Sequence, residues 1–295
     1  MAESEHPATS ASASLSIAAA LQQARPLGIE RLDATLLLAE LCQRPRSWLI
    51  THDDVLLAPE QQQRWQDWLQ RRADGVPVAY LLGRHEFHGL TLSVTPAVLD
   101  PRPDTETLVD WALERLQAHQ AAQNGPAPQV LDLGTGSGAI ALALKHRCPA
   151  AQVSAVDLSL EAVALARQNG EQLQLAIDWH CGSWFEALPA GRHFELIVSN
   201  PPYIRDDDPH LPALRHEPRL ALTSGADGLD AIRHIVREAP AWLAPGGWLL
   251  LEHGFDQADA VAALLHAAGF LAIDHRFDLA GHRRCTGACI NLTHS

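Results

Sequence analysis

Two short runs hold the residues best suited to chemistry. The first is Asn200-Pro201-Pro202-Tyr203. It follows Phe194 to Ser199, an apolar, β-rich stretch, and reads as the abrupt end of a buried strand. Neither proline donates a backbone N–H, and Pro201 turns Asn200 away from the α region. Asn200 is thereby held in a stiff corner with an amide that both donates and accepts, and Tyr203 adds a flat ring with a polar tip. Such a corner suits a planar group bearing an NH2. The competing reading is a turn that merely ends a strand, since Asn-Pro commonly opens turns.

The second run is Asp132-Leu133-Gly134-Thr135-Gly136-Ser137-Gly138, between a strand and a helix. Glycines let the backbone turn tightly and come close to a ligand. The spacing is G-x-G-x-G, not the G-x-G-x-x-G of dinucleotide folds, and no G-K-[ST] follows, which excludes a triphosphate loop. Asp157 ends the next strand. A carboxylate there can accept both ribose hydroxyls of an adenosine moiety.

The elements that position these runs alternate. Val130 to Leu133, Val153 to Val156, Leu175 to Trp179, Phe194 to Ser199 and Gly247 to Glu252 read as strands, with weaker ones near Leu271 and over Ala288 to Leu292. Helices are expected through Ile140 and Leu144, through Ala162 to an end at Asn169-Gly170, from Leu229 to Leu243, and over Val261 to Ala268. Strands alternating with helices predict an α/β, mostly parallel sheet covered on both faces, with ligands beyond the carboxyl ends of its strands. Asp132, Asp157, Asn200 and Glu252 all fall at such ends.

Upstream, residues 1–14 are rich in Ser and Ala without periodicity and read as a frayed tail. Residues 15–74 have a helical pattern and form a small N-terminal helical domain. In it Leu32, Leu36 and Ala39 share a face, a helix starts at Pro59, and Trp65 and Trp68 are expected in its core. Residues 75–100 are expected to be a β-hairpin linker, with Val76 to Tyr80 and Glu86 to Val94 as strands and Gly89 in a turn. Residues 101–295 form the second domain. Its opening run, Pro101 to Glu106, reads equally as a rigid linker with a helix cap or as a lid beside the site with Arg102 near the ligand.

The composition narrows the partners. The chain of 295 residues has a net charge of -13 and a single lysine, Lys145. Non-specific grip on nucleic-acid phosphates is therefore poor. Five scattered cysteines with no Cys-x-x-Cys pair read as reduced, and no metal site is expected. No apolar run is long enough to cross a membrane and no signal-like start is present, so a soluble cytoplasmic protein is expected.

The combined motifs resemble class I S-adenosylmethionine-dependent methyltransferases, in which Asp132 to Gly138 would be the first motif and Asp157 the acid of the second. Asn200 to Tyr203 resembles the N-P-P-Y signature of members that modify a planar NH2. Pro101 to Glu106, Glu217 to Leu222, Asp227 to Asp230 and Leu250-Leu251-Glu252-His253-Gly254 narrow the resemblance to the PrmC/HemK family. That family methylates the side-chain amide of the glutamine in the Gly-Gly-Gln loop of class-one peptide-chain release factors. The resemblance implies a Rossmann-like seven-stranded sheet, S-adenosyl-L-methionine as cofactor and a monomer. It places Gly134, Thr135, Gly136, Ser137, Gly138, Asp157, Trp184 and Asn200 around the cofactor. Asn200, Pro201, Pro202 and Tyr203 would meet the substrate, with Asn200, Pro201 and Tyr203 catalytic, while Arg219 and His253 would play a supporting part. The alternative, a nucleic-acid amino-methyltransferase acting on adenine or guanine, needs a basic groove that the charge does not supply. The glycine spacing weakens a nicotinamide dehydrogenase, and the intact motifs weaken a non-catalytic scaffold.

Overall fold

A computed structural model of the chain describes residues 14–122 and 127–290. The tail expected over residues 1–14 lies, apart from Ser14, outside the described residues, as does the end of the last expected strand at 291–292. The chain divides into two compact units, up to Leu82 and from Gly83 onward. No helix among the described residues is long and apolar enough to cross a membrane.

The first unit holds α1 (Ile17–Ala24), α2 (Arg31–Cys42), α3 (Arg46–Thr51), α4 (Pro59–Ala73) and α5 (Val78–Leu82). Ser16 caps α1 by accepting from the Ala19 N–H at 3.2 Å. Trp65 and Trp68 are buried with Leu37, Leu38 and Leu49 in one core, as expected. The buried stripe of α2 is Ala34, Leu37, Leu38 and Leu41, whereas Leu32 is exposed. A nearly continuous apolar run offers two helical stripes, and periodicity alone does not choose between them. Val76 to Tyr80, expected as a strand, instead leads into α5, whose Tyr80 and Leu81 N–H groups donate to the Pro77 carbonyl at 3.1 and 3.3 Å. Burial of Tyr80 and Leu81 within one helical turn overrides their β preference.

The second unit opens with a hairpin of β1 (Arg84–Phe87) and β2 (Leu90–Ser93). Its turn residues His88 and Gly89 both have positive φ, 48° and 78°, which matches the twist of a two-residue hairpin turn. After α6 (Glu106–Ala122), the chain alternates β3 (Gln129–Leu133), α7 (Ala139–Arg147), β4 (Gln152–Asp157), α8 (Leu160–Leu173), β5 (Asp178–Cys181) and β6 (Phe194–Ser199). It closes through α9 (Asp230–Glu238), β7 (Leu243–Glu252), α10 (Ala258–Ala267), β8 (Leu271–Phe277) and β9 (Arg283–Cys289). The seven-stranded sheet has the order β5-β4-β3-β6-β7-β9-β8. The β5, β4, β3, β6 and β7 ladders are parallel, and β9 runs antiparallel to both its neighbours. Alternation along the strands sends Val130, Val198 and Leu250 to one apolar layer with α6 and α7. Leu131, Ile197 and Leu249 go to the other, with α9 and α10.

Several boundaries differ from the sequence reading. The last strand, expected from Ala288, already starts at Arg283, because Cys285 to Cys289 pair along β7, and β7 itself starts at Leu243 instead of Gly247. Helix α8 continues through Asn169 and Gly170 to Leu173 and is ended by Gln174 at φ 57°. Helix α9 stops at Glu238, because Pro240 cannot continue it, and Leu243 already pairs with Phe194 in β7. The third strand starts at Asp178, later than the expected Leu175.

The topology brings the two chemical runs together. The chain leaves β3 outward through β4 and β5, then returns to β6 on the other side of β3, so the strand order reverses there. Leu133 pairs with Ser199, and Ser199 with Leu251. Gly134, Asn200 and Glu252 therefore leave three neighbouring strands at one level.

Candidate active site

The glycine loop is fixed from several sides. Gly134 and Thr135 both donate backbone N–H groups to the Val156 carbonyl, at 2.9 and 3.0 Å. Asp132 is fully buried and accepts from the Thr135 hydroxyl at 2.6 Å and from the Ala141 N–H at 3.2 Å. Burial pushes its carboxyl up to about 7. Gly134, Gly136 and Gly138 have φ values of 73°, 57° and 84°, a region costly for other residues. A side chain at Gly138 would also crowd Trp179, Leu142 and Ala166, so this glycine serves helix packing.

Asp157 joins the next turn to that loop. Its Oδ2 accepts from the Gly136 N–H at 2.8 Å and its Oδ1 from the Ser159 N–H at 2.9 Å. Burial raises its pKa above the ordinary carboxylate value, while these backbone donors oppose the rise. Trp184 stands in the left-handed region at φ 44°. A Cβ placed on Gly134 would meet its ring at 3.6 Å, so the bare glycine backbone and the indole face one another closely.

A cavity of about 600 Å³ lies over these strand ends. Gly134, Thr135, Gly136, Ser137, Asp157, Trp184, Asn200 and Pro202 line it, together with Arg102 and Thr105. Gly138 and Pro201 do not. A smaller cavity of about 260 Å³ is lined by Leu99, Arg102, Asn200, Tyr203, Ile204, Leu214, Ala221 and Leu222. Asn200 and Arg102 thus border both spaces. The Asn200 amide Nδ2 donates to Thr105 Oγ1 at 3.2 Å, and Tyr203 Oη donates to Glu252 Oε1 at 3.3 Å.

The segment after Tyr203 is pinned at its base and its far end. Ile204 donates to the Leu222 carbonyl and accepts from the Ser224 N–H, both at 2.9 Å. Glu217 is buried and takes Arg102 Nη2 at 2.6 Å. Arg102 accordingly sits beside the site, as in the lid reading of its segment, and Glu217 is the partner that sequence reasoning left without a role. Gln257 was likewise missed; its Nε2 donates to the Tyr203 carbonyl at 3.0 Å. Only its position soon after Glu252 pointed to it. His253 is buried, lines neither cavity and contacts Thr286 Oγ1 at 2.7 Å; burial pushes it down to about 4, so it is neutral. Arg219 is exposed and donates to the Asp206 carbonyl at 3.4 Å.

Comparison with known proteins gives concordant results. Residues 13–83 match the model of the PrmC N-terminal domain and residues 107–216 that of the methyltransferase small domain. A release factor glutamine methyltransferase of Bordetella pertussis is 48% identical over 262 residues, covering 88% of this chain and 95% of its own. One of Pseudomonas aeruginosa is 50% identical over 259 residues, covering 87% and 91%. Among solved structures, a T. thermophilus 16S rRNA N2 G1207 methyltransferase in complex with AdoMet and guanosine aligns with a TM-score of 0.52 at 24% identity. It covers 70% of this chain and 50% of its own. The METTL16 catalytic domain in complex with an RNA hairpin aligns at 0.54 and 15% identity, covering 78% and 83%. At these identities the structural likeness speaks for the class I methyltransferase fold alone.

Proposed function

Since the chain belongs to the release factor glutamine methyltransferases, we propose that it methylates the side-chain amide nitrogen of the glutamine in the Gly-Gly-Gln loop of class-one peptide-chain release factors. S-adenosylmethionine is the cofactor, and the chain acts as a cytoplasmic monomer. The observation that carries this reading is the position of Asn200, on the border of both cavities with its Nδ2 already engaged by Thr105.

The residues present fit the cofactor. The larger cavity lies in the size range of cofactor sites, its floor is a glycine backbone without side chains, and Asp157 and Trp184 form parts of its wall. When bound, S-adenosylmethionine supplies a methyl group already activated on a sulfonium sulfur. Gly134 to Ser137 would line its methionine and ribose part, Asp157 would accept the ribose hydroxyls, and Trp184 would lie beside the adenine.

The nucleophile is the harder partner, because an amide nitrogen shares its lone pair with its carbonyl. With Nδ2 held by Thr105, Asn200 keeps Oδ1 as its acceptor. Asn200 Oδ1 and the Pro201 carbonyl accept the two hydrogens of the substrate amide, which fixes the nitrogen and favours the charge that develops on it. Tyr203 packs beside the amide. Orientation of this kind is worth roughly 7–11 kcal/mol. No side-chain base is required, since the proton leaves after transfer. A glutamate is rejected because its carboxylate has no hydrogens for two buried acceptors.

The test is methyl transfer from a labelled donor to release factor, to its glutamine-to-glutamate variant, to DNA and to RNA, offered separately. Label is expected on unmodified release factor alone. In Asn200→Ala, turnover is expected to fall by about 100-fold or more while cofactor binding survives in part. Full activity of that variant, or label on the nucleic acids instead, would overturn the reading.

A further inference from the structure

The two cavities meet along Leu99, Arg102, Asn200 and Ala221, which line both. A methyl group that leaves a donor in the larger space for a nitrogen in the smaller one crosses here. Among the described residues lining either cavity, Arg102 is the only lysine or arginine. The acids along the larger one are Asp157, Glu161 and Asp230, a lining suited to a cation. A guanidinium is always charged. Arg102 therefore places a fixed positive charge where a positively charged donor must react.

That charge has a partner of its own. Glu217 Oε1 takes Arg102 Nη2 at 2.6 Å, and only 3% of the Glu217 side chain is exposed, against 36% for Arg102. Glu217 lines neither cavity. Its Oε2 accepts from the Asp100 N–H at 3.4 Å, and its backbone N–H donates to the Leu214 carbonyl at 2.9 Å, so the acid is held in place. Asp100, the other carboxylate nearby, stands 2.7 Å from His85 Nδ1. A buried ion pair is a weak source of stability, because desolvating two charges offsets most of what their attraction gains. An acid standing behind the guanidinium does, however, cancel its field in the space in front.

We propose that Glu217 is a positioning residue that acts through Arg102: it fixes and neutralises the guanidinium at the junction of the cavities, and so lets the site accept the sulfonium form of the cofactor. The inference rests on the reading of the two cavities as cofactor and substrate-amide spaces with Asn200 between them. Glu217 touches neither cofactor nor substrate. With a neutral side chain at 217, the Arg102 charge is uncompensated. It then opposes S-adenosylmethionine, whose sulfur is positively charged, but not S-adenosylhomocysteine, whose sulfur is neutral. The two molecules share every other charged group, including the amino-acid carboxylate. An arginine that only gripped that carboxylate, or only tied two segments together, leaves their relative affinity unchanged.

The experiment measures Kd for both molecules by isothermal titration at about pH 8, with turnover of release factor alongside. It compares the unmodified enzyme with Glu217→Gln, Arg102→Met, the double variant of these two, and Asn200→Ala. Glutamine keeps the shape of glutamate and an oxygen that accepts from Arg102, so Glu217→Gln removes the charge and retains the contact. The ratio of the S-adenosylmethionine Kd to the S-adenosylhomocysteine Kd is expected to rise about five-fold or more in Glu217→Gln. It should return to within about two-fold of the unmodified value in the double variant, which has no charge left to compensate. Both ligands are titrated into one preparation, so loss of folded enzyme does not move the ratio. Arg102→Met, which leaves the acid without its cation, should lower the ratio and supplies the sign if Glu217→Gln does not accumulate folded. A ratio that does not rise in Glu217→Gln, or in its absence does not fall in Arg102→Met, overturns the inference. So does a rise that the double variant fails to reverse. Full turnover by Asn200→Ala removes the underlying reading instead. Its inactivity beside an unchanged ratio in Glu217→Gln removes the role of Glu217 alone.

Discussion

Gly228 lies directly against the backbone carbonyl of Tyr203. A Cβ on Gly228 would fall inside the van der Waals contact distance of that oxygen and within 2.8 Å of the Gln257 amide nitrogen that donates to it. The residue also sits at φ 76°. Gly228→Ala must therefore displace the Tyr203 backbone or strain its own, at a cost of about 1–3 kcal/mol. The expected outcome is a fall in kcat of at least about ten-fold through displacement of the proline corner, with cofactor Kd nearly unchanged, because Gly228 does not line the larger cavity. Steady-state kinetics with separate cofactor titration checks it; unchanged kcat would show that the corner yields without consequence.

Asp157 has two tasks that a single substitution separates from catalysis. It staples Gly136 and Ser159 through two backbone N–H bonds, and it lines the cofactor cavity. Charge-assisted bonds of this type contribute about 1.5–3 kcal/mol each. Asp157→Ala is expected to raise cofactor Kd by about ten-fold or more, with kcat at saturating cofactor much less affected. Isothermal titration decides this, and an unchanged Kd would remove Asp157 from the ribose contact.

The site was more legible in the sequence than the boundaries around it. Glycine spacing, a proline corner and carboxylates at strand ends are local signals, and each reports a backbone requirement that side chains elsewhere cannot relax. The reversal of strand order at β3 and β6 then places them together. Glu217 and Gln257 gave no such signal. Their partners, Arg102 and the Tyr203 carbonyl, are distant in sequence, and a lone Glu or Gln carries no periodicity. Asn169-Gly170 gave a misleading one. The pair looks like a helix end, but Asn169 keeps its place in α8 because its side chain is fully used at long range, and Gly170 because Trp179 packs against it.

Asn169 supplies the next prediction. Its Oδ1 accepts from the Ser93 N–H at 2.8 Å, and its Nδ2 donates to the Ser93 carbonyl at 3.0 Å and the Ser137 carbonyl at 2.9 Å. One buried amide thus imitates a strand partner for β2 and holds the glycine loop to it. Asn169→Ala leaves those groups without partners and should destabilise the protein by about 2–3 kcal/mol, read from the urea midpoint. Asn169→Asp should be no better, since an ionised carboxylate would lack both donors. Wild-type stability in either variant would show that water or a shifted loop replaces the amide.

The pH dependence of stability offers a signed test of Glu252. Burial raises its carboxyl from 4.5 to about 7. The hydrogen bond from Tyr203 and the charge of Arg284 oppose that rise, while Asp104 adds to it. Between those two values the folded protein retains a proton that the unfolded chain has released. Stability from this group is therefore fully present below about pH 4.5 and is lost as pH rises through about 7. Asp132 acts in the same direction. His253, held neutral with its value pushed down to about 4, acts in the opposite one, gaining stability as pH rises from about 4 to its ordinary range. Both are common to the wild type and Glu252→Gln, so their contributions cancel in a comparison of the two. The melting temperature of Glu252→Gln minus that of the wild type is expected to be more positive at about pH 8 than at about pH 5, by several degrees. A difference that stays level, or moves the other way, would mean that Glu252 does not bury an uncompensated charge at neutral pH.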